Sequence, residues 1–568
     1  MRIPRPTSNP ATRTVGGPFA LYLVVSFLYF GVPLLPHPGR AYVGHGADPQ
    51  IFIWMFAWWP HALLHGLDPF KTTEIWAPAA YNLAWTTSVP ALAVIFAPVT
   101  LLAGPVASYN LATILLPALA ASTAYLLCRY LTHALWPSLV GGYLFGFSAY
   151  MLGQQEGHLH MTSVFLVPLV PLLVLRYLDG TLGGRRLAVR LGLVLGLQLW
   201  ISTEVFFTVT LALAVGLLLG FLVMPTRRRR LLELIPALAG SYAVAAAFAS
   251  PLIVVTLQEF HSGSINRPSD FGADLLSPVV PTPLMLVGGS WAHSVTGRFI
   301  GNNAENGAYL GLPALLMIAI FAVGRWRTAS ARFLLAAFGL AVFASLGTRL
   351  HLDGRAIVSL PIGLLAHQPL FDNLLPVRLA LYSSLAAAVI VALWAATTRL
   401  RWLAVGLPVL AVVALLPRLG AGYWKTTPIR PAFFTSGLYK QCLTRDETVL
   451  PFPFGPNGDS MLLQAETGFW YRLAGGYVSP LNPSLYENDT AFLGLWYQVI
   501  PPSPQEMLSF ARSVGVSTIL VQKADDPGWI GFFSRALKPE PHEGIVAFGL
   551  GSTDTILPGC PVPIPRHS

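Results

Sequence analysis

The sequence is poor in charge. Only 11% of its 568 residues are Asp, Glu, Lys or Arg, against about a quarter in a soluble domain. Lysine is nearly absent outside the C-terminal part, with Lys71 alone before residue 420. Cysteine is scarce: Cys128, Cys442 and Cys560 form no metal or redox spacing. There is no G-x-S-x-G, Walker A or H-E-x-x-H motif, no G-x-G-x-x-G in a productive context, and no obvious short internal repeat. These absences remove the common hydrolase, P-loop, zincin and dinucleotide-binding classes. The net charge of +10 is small for the length and sits in short arginine clusters between apolar segments. It therefore points to membrane topology and away from nucleic acid.

What the chain has in abundance is apolar surface. Hydrophobic residues make up 54%, and the mean hydropathy is +0.60, the balance of a polytopic membrane protein. Candidate spans lie at about 18–36, 106–128, 137–152, 161–178, 188–202, 205–224, 234–257, 308–323, 331–347, 377–398 and 402–418. The leading "MRIPRPTSNPATRTVGG" carries arginines and no acid, and no small-x-small cleavage site follows the first apolar run. An uncleaved first span with its N-terminus inside is expected.

The segment 89–104 is the difficult one. As a helix it would reach only ~24 Å, short of the ~30 Å hydrocarbon core, and it holds two prolines. Charge decides. If it does not cross, Arg129, Arg176, Arg185, Arg186, Arg190, Arg227 to Arg230, Arg325, Arg327, Arg399 and Arg401 all fall on the N-terminal side. If it crosses, they all move outside, against the positive-inside rule. The segment is therefore expected to be a re-entrant or interfacial helix pair.

The expected fold is mainly α: a transmembrane bundle of about eleven spans over 1–419, N-terminus inside, with interfacial helices in a first outer loop at 37–88. A small extracytoplasmic α/β domain over 420–568 follows. In it "ETVLPFPFGPNGDS" reads as strand then turn and "SPQEMLSFARSVGVSTILVQKAD" as helix then buried strand. "EGIVAFGL" and "TDTILPG" read as further short strands. Cys442 and Cys560 are in a position to pair only if this domain lies outside the cytoplasm. Cys128, in an apolar helix, is expected to be inert.

This topology sorts the acids. Of thirteen before residue 420, Asp179 and Glu233 fall on the cytoplasmic side. Asp48, Asp68, Glu74, Glu156, Glu204, Glu259, Asp270, Asp274, Glu305, Asp353 and Asp372 fall at or near outer ends of spans. Acids avoid helix centres, where each costs roughly 2.5–3.5 kcal/mol, but avoidance alone does not choose one face. The outer face is the expected working face.

Several polar groups on that face carry chemistry. Asp48 precedes Pro49 and the aromatic run "IFIWMFAWWPHALLHG", expected to lie along the outer interface. Asp48 reads both as a helix N-cap and as a carboxylate held at the membrane surface, and the two roles are compatible. Gln155, Glu156, His158 and His160 share an outer turn suited to a phosphate or sugar. Its H-x-H pair alone is not a metal signature. Glu204 reads as a member of a polar hairpin turn. Glu305 precedes the eighth span, and Arg355 sits in the last outer loop. Arg378 enters a membrane helix two residues after Pro376, which is costly unless it meets a polar cavity or a partner such as phosphate.

Together, Asp48 with its aromatic segment, "GQQEGHLH", "AENGAYLGLPALL", "LGTRLHLDGR" with "LFDNLLPVRLALY", and the tail stretch "LPFPFGPNGDSMLLQAETGFWYRLAGGY" resemble the GT-C glycosyltransferases, especially the bacterial YfhO-like members. The resemblance implies transfer of a sugar from a polyprenyl-phosphate donor to a glycan or lipid acceptor on the outer side of the membrane. Asp48 would be the base in an inverting displacement. Arg378 or Arg355 would stabilise the leaving phosphate, and His158, His160, Gln155, Glu156 and Glu305 would be donor-binding candidates. Pro49 and Gln50 follow Asp48, which departs from a D-x-D or paired-acid form. No cofactor is expected, and a divalent metal is not favoured. Membrane lipids are the expected surroundings. A transporter or flippase of lipid-linked precursors, or a non-catalytic assembly partner, is the alternative.

Overall fold

The computed structural model describes residues 16–258, 267–368, 370–479, 481–497, 499, 503–524, 527–550 and 560. The arginine-bearing N-terminal stretch, Glu259 and the expected strand at 553–559 lie outside the described residues. The chain divides into two compact units. One comprises Met1–Pro36, Leu111–Ser250 and His261–Lys425, the other His37–Asn110, Pro251–Phe260 and Thr426–Ser568. The expected division placed the first outer loop with the bundle. Here that loop belongs to the same unit as the tail.

The first unit is helical, and the chain is a membrane protein. Among the described residues, five helices are long and apolar enough to cross a membrane: Gly16–Leu34, Pro105–Thr132, Thr203–Val223, Pro225–Phe248 and Pro376–Thr397. Shorter apolar helices include Leu169–Leu178, Leu312–Arg325, Ala329–Ser345 and Arg401–Ala414. Burial separates central helices from peripheral ones. The apolar windows of Pro105–Thr132 and Pro376–Thr397 are 72% and 78% buried, those of Thr203–Val223 and Pro225–Phe248 only 22% and 17%. The last two therefore present apolar surface outward, as helices facing lipid do.

Several expected spans are broken for local reasons. The run 137–152 divides into Leu135–Gly146 and Ala149–Gln154 because Ser148 adopts extended backbone and caps the second helix, its Oγ accepting from the Met151 amide at 3.3 Å. The run 234–257 breaks at Ala249, just before Ser250 and Pro251. Close packing elsewhere depends on small residues. A Cβ on Gly192 would stand 2.7 Å from the Ser241 carbonyl, and one on Gly196 2.8 Å from the Phe248 ring. This small-x-x-x-small face brings Gly184–Ile201 against Arg228–Phe248. Cys128 is buried against Gly141.

The second unit is built around the helix Asp48–Leu64. Pro49 through Pro60 are all buried, so this is a core helix and not one lying with a single face on lipid, as its aromatic composition had led us to expect. Its tryptophans find protein partners in place of headgroups. Trp54 and Trp58 stack at 5.6 Å, and both meet Phe469 edge-on. Trp54 Nε1 donates to Gln464 Oε1 at 2.8 Å, which ties the helix to the tail helix Ser460–Glu466. Phe56 meets Phe96 of the segment 89–104. That segment forms two short helices, Pro90–Ile95 and Ala97–Ala103, broken at Phe96. At 1.5 Å per residue each is about 10 Å long, well short of the ~30 Å hydrocarbon core.

The tail carries a five-stranded sheet. Its order is Arg472–Leu473, Thr448–Phe452, Thr518–Gln522, Ile545–Gly549, Glu540–His542. The first three strands run parallel, with Val449 opposite Thr518, and Ile545–Gly549 runs antiparallel to both of its neighbours. Thr518–Gln522 is wholly buried, and the amphipathic helix Pro504–Ser513 precedes it, both where the sequence pattern put them. The segment Glu74 to Ala77 extends the sheet edge. Leu473 N donates to Glu74 O at 2.8 Å, Trp76 N to Gly475 O at 3.0 Å and Ala77 N to Leu473 O at 3.0 Å. A disulfide joins Cys442 to Cys560 across 118 positions.

Candidate functional site

Two polar constellations stand out, one in each unit. In the bundle, the turn Asn302–Asn306 aims Glu305 inward. The Asn302 side chain accepts from the Glu305 amide at 3.0 Å, and its carbonyl accepts from the Asn306 amide at 3.0 Å. Gly153 lets this turn sit on the helix Ala149–Gln154, because a Cβ there would be 2.5 Å from the Ala304 carbonyl. Gln154 Nε2 then donates to Ala304 O at 3.0 Å and to Glu305 Oε2 at 3.1 Å. His158 Nδ1 lies 2.7 Å from Gln154 Oε1 and 3.4 Å from Glu305 Oε1.

Arg378 closes this network. It occupies the turn Pro376–Leu379 that starts the helix Ala380–Thr397. Its Nε donates to both Glu305 oxygens at 3.1 and 2.9 Å, and its Nη1 to Glu204 Oε2 at 2.5 Å. Glu204 stands in the first turn of Thr203–Val223, after the Ser202 cap. Burial alone would raise the Glu305 pKa. The Arg378 charge and its hydrogen bonds win, and hold it down at about 2. The costly arginine is thus met by two carboxylates, and Glu204, which read as a plain hairpin residue, is one of them. A lone cation at the head of a membrane helix was the signal that a counter-charge had to exist.

The other residues of the 154–160 turn lie at this site in different states. Gln155 is buried, its Nε2 donating to Thr113 O at 2.7 Å. Glu156 is pushed up to about 7 by burial, opposed by the neighbouring His158, and its Oε1 is buried with no hydrogen-bond partner among the described residues. His160 is buried, and desolvation followed by the charges of Arg378 and His158 drives its pKa far down. Arg355 lies on the exposed strand Arg355–Ser359 of a hairpin, and among the described residues no hydrogen bond or ion pair joins it to this network.

In the second unit, Asp48 is the first residue of its helix. Ala47 holds the N-cap position, without a side-chain cap. Asp48 instead accepts at Oδ1 from Tyr477 Oη at 3.1 Å. The segment leading to it turns at Gly44 and Gly46, with φ of 102° and 80°, which accounts for the two glycines of "GHG". Asn110 anchors that segment, accepting from Val43 N at 3.0 Å and donating to Ala41 O at 2.9 Å. Gln50 Nε2 donates to Asp459 Oδ1 at 2.6 Å, and Asp459 Oδ2 accepts from the Ile429 amide at 3.0 Å. Tyr477 and Asp459 were not singled out from the sequence. They stand more than 400 positions from their partners, and nothing local marks them.

Among the described residues, one trio places ligand atoms close enough for a metal ion: Cys442, His542 and Cys560. Its two sulfurs are joined to each other, so neither is available as a thiolate.

Comparison with curated proteins finds no match. Among solved structures the chain is similar to an archaeal oligosaccharyltransferase, AglB from Archaeoglobus fulgidus, in complex with an inhibitory peptide and a dolichol-phosphate. Identity is 11% and the TM-score 0.52, over 96% of this chain and 75% of that one. It is also similar to the arabinofuranosyltransferase AftD from mycobacteria, at 15% identity and a TM-score of 0.54, over 97% of this chain but 40% of that one. Both neighbours are GT-C glycosyltransferases. Residues 19–416 match the family described as a domain of unknown function, DUF6311. The chain belongs to that family, and its fold is that of the GT-C membrane glycosyltransferases.

Proposed function

We propose that this protein is a membrane glycosyltransferase that moves a sugar from a polyprenyl-phosphate donor to an envelope glycan or lipid on the extracytoplasmic face. The observation that carries the reading is Asp48. It is a carboxylate at the start of a buried helix, oriented by a hydroxyl donor, in a chain whose solved neighbours transfer sugars. In this mechanism Asp48 accepts the proton of the acceptor hydroxyl as its oxygen attacks the anomeric carbon. The bond to the donor phosphate breaks on the opposite side, and the configuration inverts. One acid suffices, and no metal is assigned.

The polar turn Gln155–His160 is the proposed donor side. Arg378, engaged by two carboxylates, acts there through Glu305 and Gln154, which set the turn. Arg355, exposed on its hairpin, is the proposed cation for the leaving phosphate. The proposed topology is eleven spans, N-terminus inside and tail outside. The Cys442–Cys560 disulfide supports it, since such bonds persist in oxidising compartments.

The test is transfer by purified protein from a panel of polyprenyl-phosphate sugars, comparing wild type with Asp48→Asn. Loss of transfer by more than about a hundredfold is expected for removal of a general base. Equal transfer by both proteins removes Asp48 from the mechanism. Lipid flipping without transfer supports the transporter instead.

A further inference from the structure

The tail supplies a side chain to the proposed base. Tyr477 Oη donates to Asp48 Oδ1 at 3.1 Å. Burial, and then the Asp48 charge, push the Tyr477 phenol well above its ordinary pKa, so it remains a donor through the neutral range. Its position is built, not incidental. The Tyr477 amide donates to Met461 Sδ at 3.1 Å, on the helix Ser460–Glu466. The same helix and the residue before it hold Gln50 and Trp54 of the Asp48 helix, through Asp459 and Gln464. The Tyr477 ring leans on Trp496 at 6.2 Å. Donor and acceptor are therefore fixed by one pair of packed helices.

We infer that Tyr477 is the positioning residue for Asp48, holding its carboxylate in one orientation and in the ionised form. This rests on the reading of Asp48 as the base. A hydrogen bond to the charged form of a carboxyl favours that form. A base must be ionised before it can take the acceptor proton. Tyr477 keeps its own proton throughout, and the proton released in the reaction comes from the acceptor and goes to Asp48. Tyr109 of the helix Pro105–Thr132 also feels the charge of this carboxylate, and Asp459 accepts from Gln50, two residues along the chain from Asp48.

The experiment titrates carboxyl protonation in the purified full-length protein by infrared difference spectroscopy, with the Asp48 band assigned from its loss in Asp48→Asn. In Tyr477→Phe the band is expected to titrate about one pH unit higher, a tenfold gain in proton affinity. In the transfer assay the acidic limb of the pH profile should move up by the same amount. Then kcat falls about tenfold at low pH and recovers at high pH, while KM is unchanged. A difluorotyrosine at 477, similar in size and a stronger donor, should move the midpoint down, and it covers the case in which Tyr477→Phe folds poorly.

An unmoved band in both variants overturns the inference, even if activity drops, because a purely structural role lowers transfer at every pH alike. If wild type transfers nothing from any donor, the reading of Asp48 as base fails, while the infrared titration still decides the Tyr477 contact.

Discussion

Replacing Arg378 by methionine tests the ion network most directly. The substitution keeps the volume of the stem and removes the charge. It deletes the bonds to both Glu305 oxygens and to Glu204, leaving two carboxylates without their cation. Breaking a buried pair from one side costs about 3–5 kcal/mol.

The native network gives an independent figure of similar size. Glu305 is 3% exposed and is held at about 2 against an ordinary 4.5. That difference of about 2.5 pH units corresponds to on the order of 3 kcal/mol. In wild type the folded pKa lies below the unfolded one. The contribution is therefore complete above about pH 4.5 and is lost as pH falls toward 2. In Arg378→Met burial, the largest influence on Glu305, raises its pKa, opposed only by the remaining Gln154 hydrogen bond and the His158 charge. The variant should then be most stable in acid and lose stability as pH rises.

Thermal unfolding in detergent from pH 4 to 8 reads this out as opposite slopes for the two proteins. Adding Glu305→Gln and Glu204→Gln to Arg378→Met should flatten the slope and recover most of the loss. A single variant as stable as wild type at pH 8, or with the same slope, would refute the assignment of Arg378 as the counter-charge.

Two further outcomes are expected. Glu74 is pushed up to about 7, chiefly by burial and against the pull of Arg472, so its folded pKa exceeds the unfolded one. Its contribution is complete below about pH 4.5 and is lost as pH rises through 7, by an amount on the order of 1–3 kcal/mol. Glu74→Gln should remove that dependence, and unchanged pH curves in melting experiments would count against it. Cys442→Ser should lower the stability of the tail by about 2–4 kcal/mol, and treating wild type with reductant should reproduce the loss. If reductant has no effect on melting, the cysteines are not joined in the isolated protein.

Much of the architecture was legible in the sequence because it depends on local pattern. Hydropathy marks the helices of the bundle, and short apolar runs bounded by turn residues around 448, 518 and 545 mark the strands of the tail. The arginine distribution argued that 89–104 does not cross, and in that segment the chain forms two helices of six and seven residues. Local pattern misled at the helix Asp48–Leu64, where tryptophans suited to headgroups are buried against Phe469 and Gln464. Composition reports that a surface is apolar, not what covers it.

The candidate site was visible only by halves. Asp48, Arg378, Glu305 and His158 announce themselves, as acids and bases in an apolar chain must. Their partners do not. Tyr477 lies 429 positions from Asp48, and Glu204 lies 174 from Arg378. By itself the sequence determined a helical membrane chain with a mixed tail, because the transfer free energies of single residues set those properties. Tertiary structure alone decided that residues 37–110 belong to the same unit as the tail, that Arg378 meets two carboxylates, and that Asp48 is held by a tyrosine. Hydrogen bonds and ion pairs require contact at about 3 Å, and only folding brings such distant residues that close.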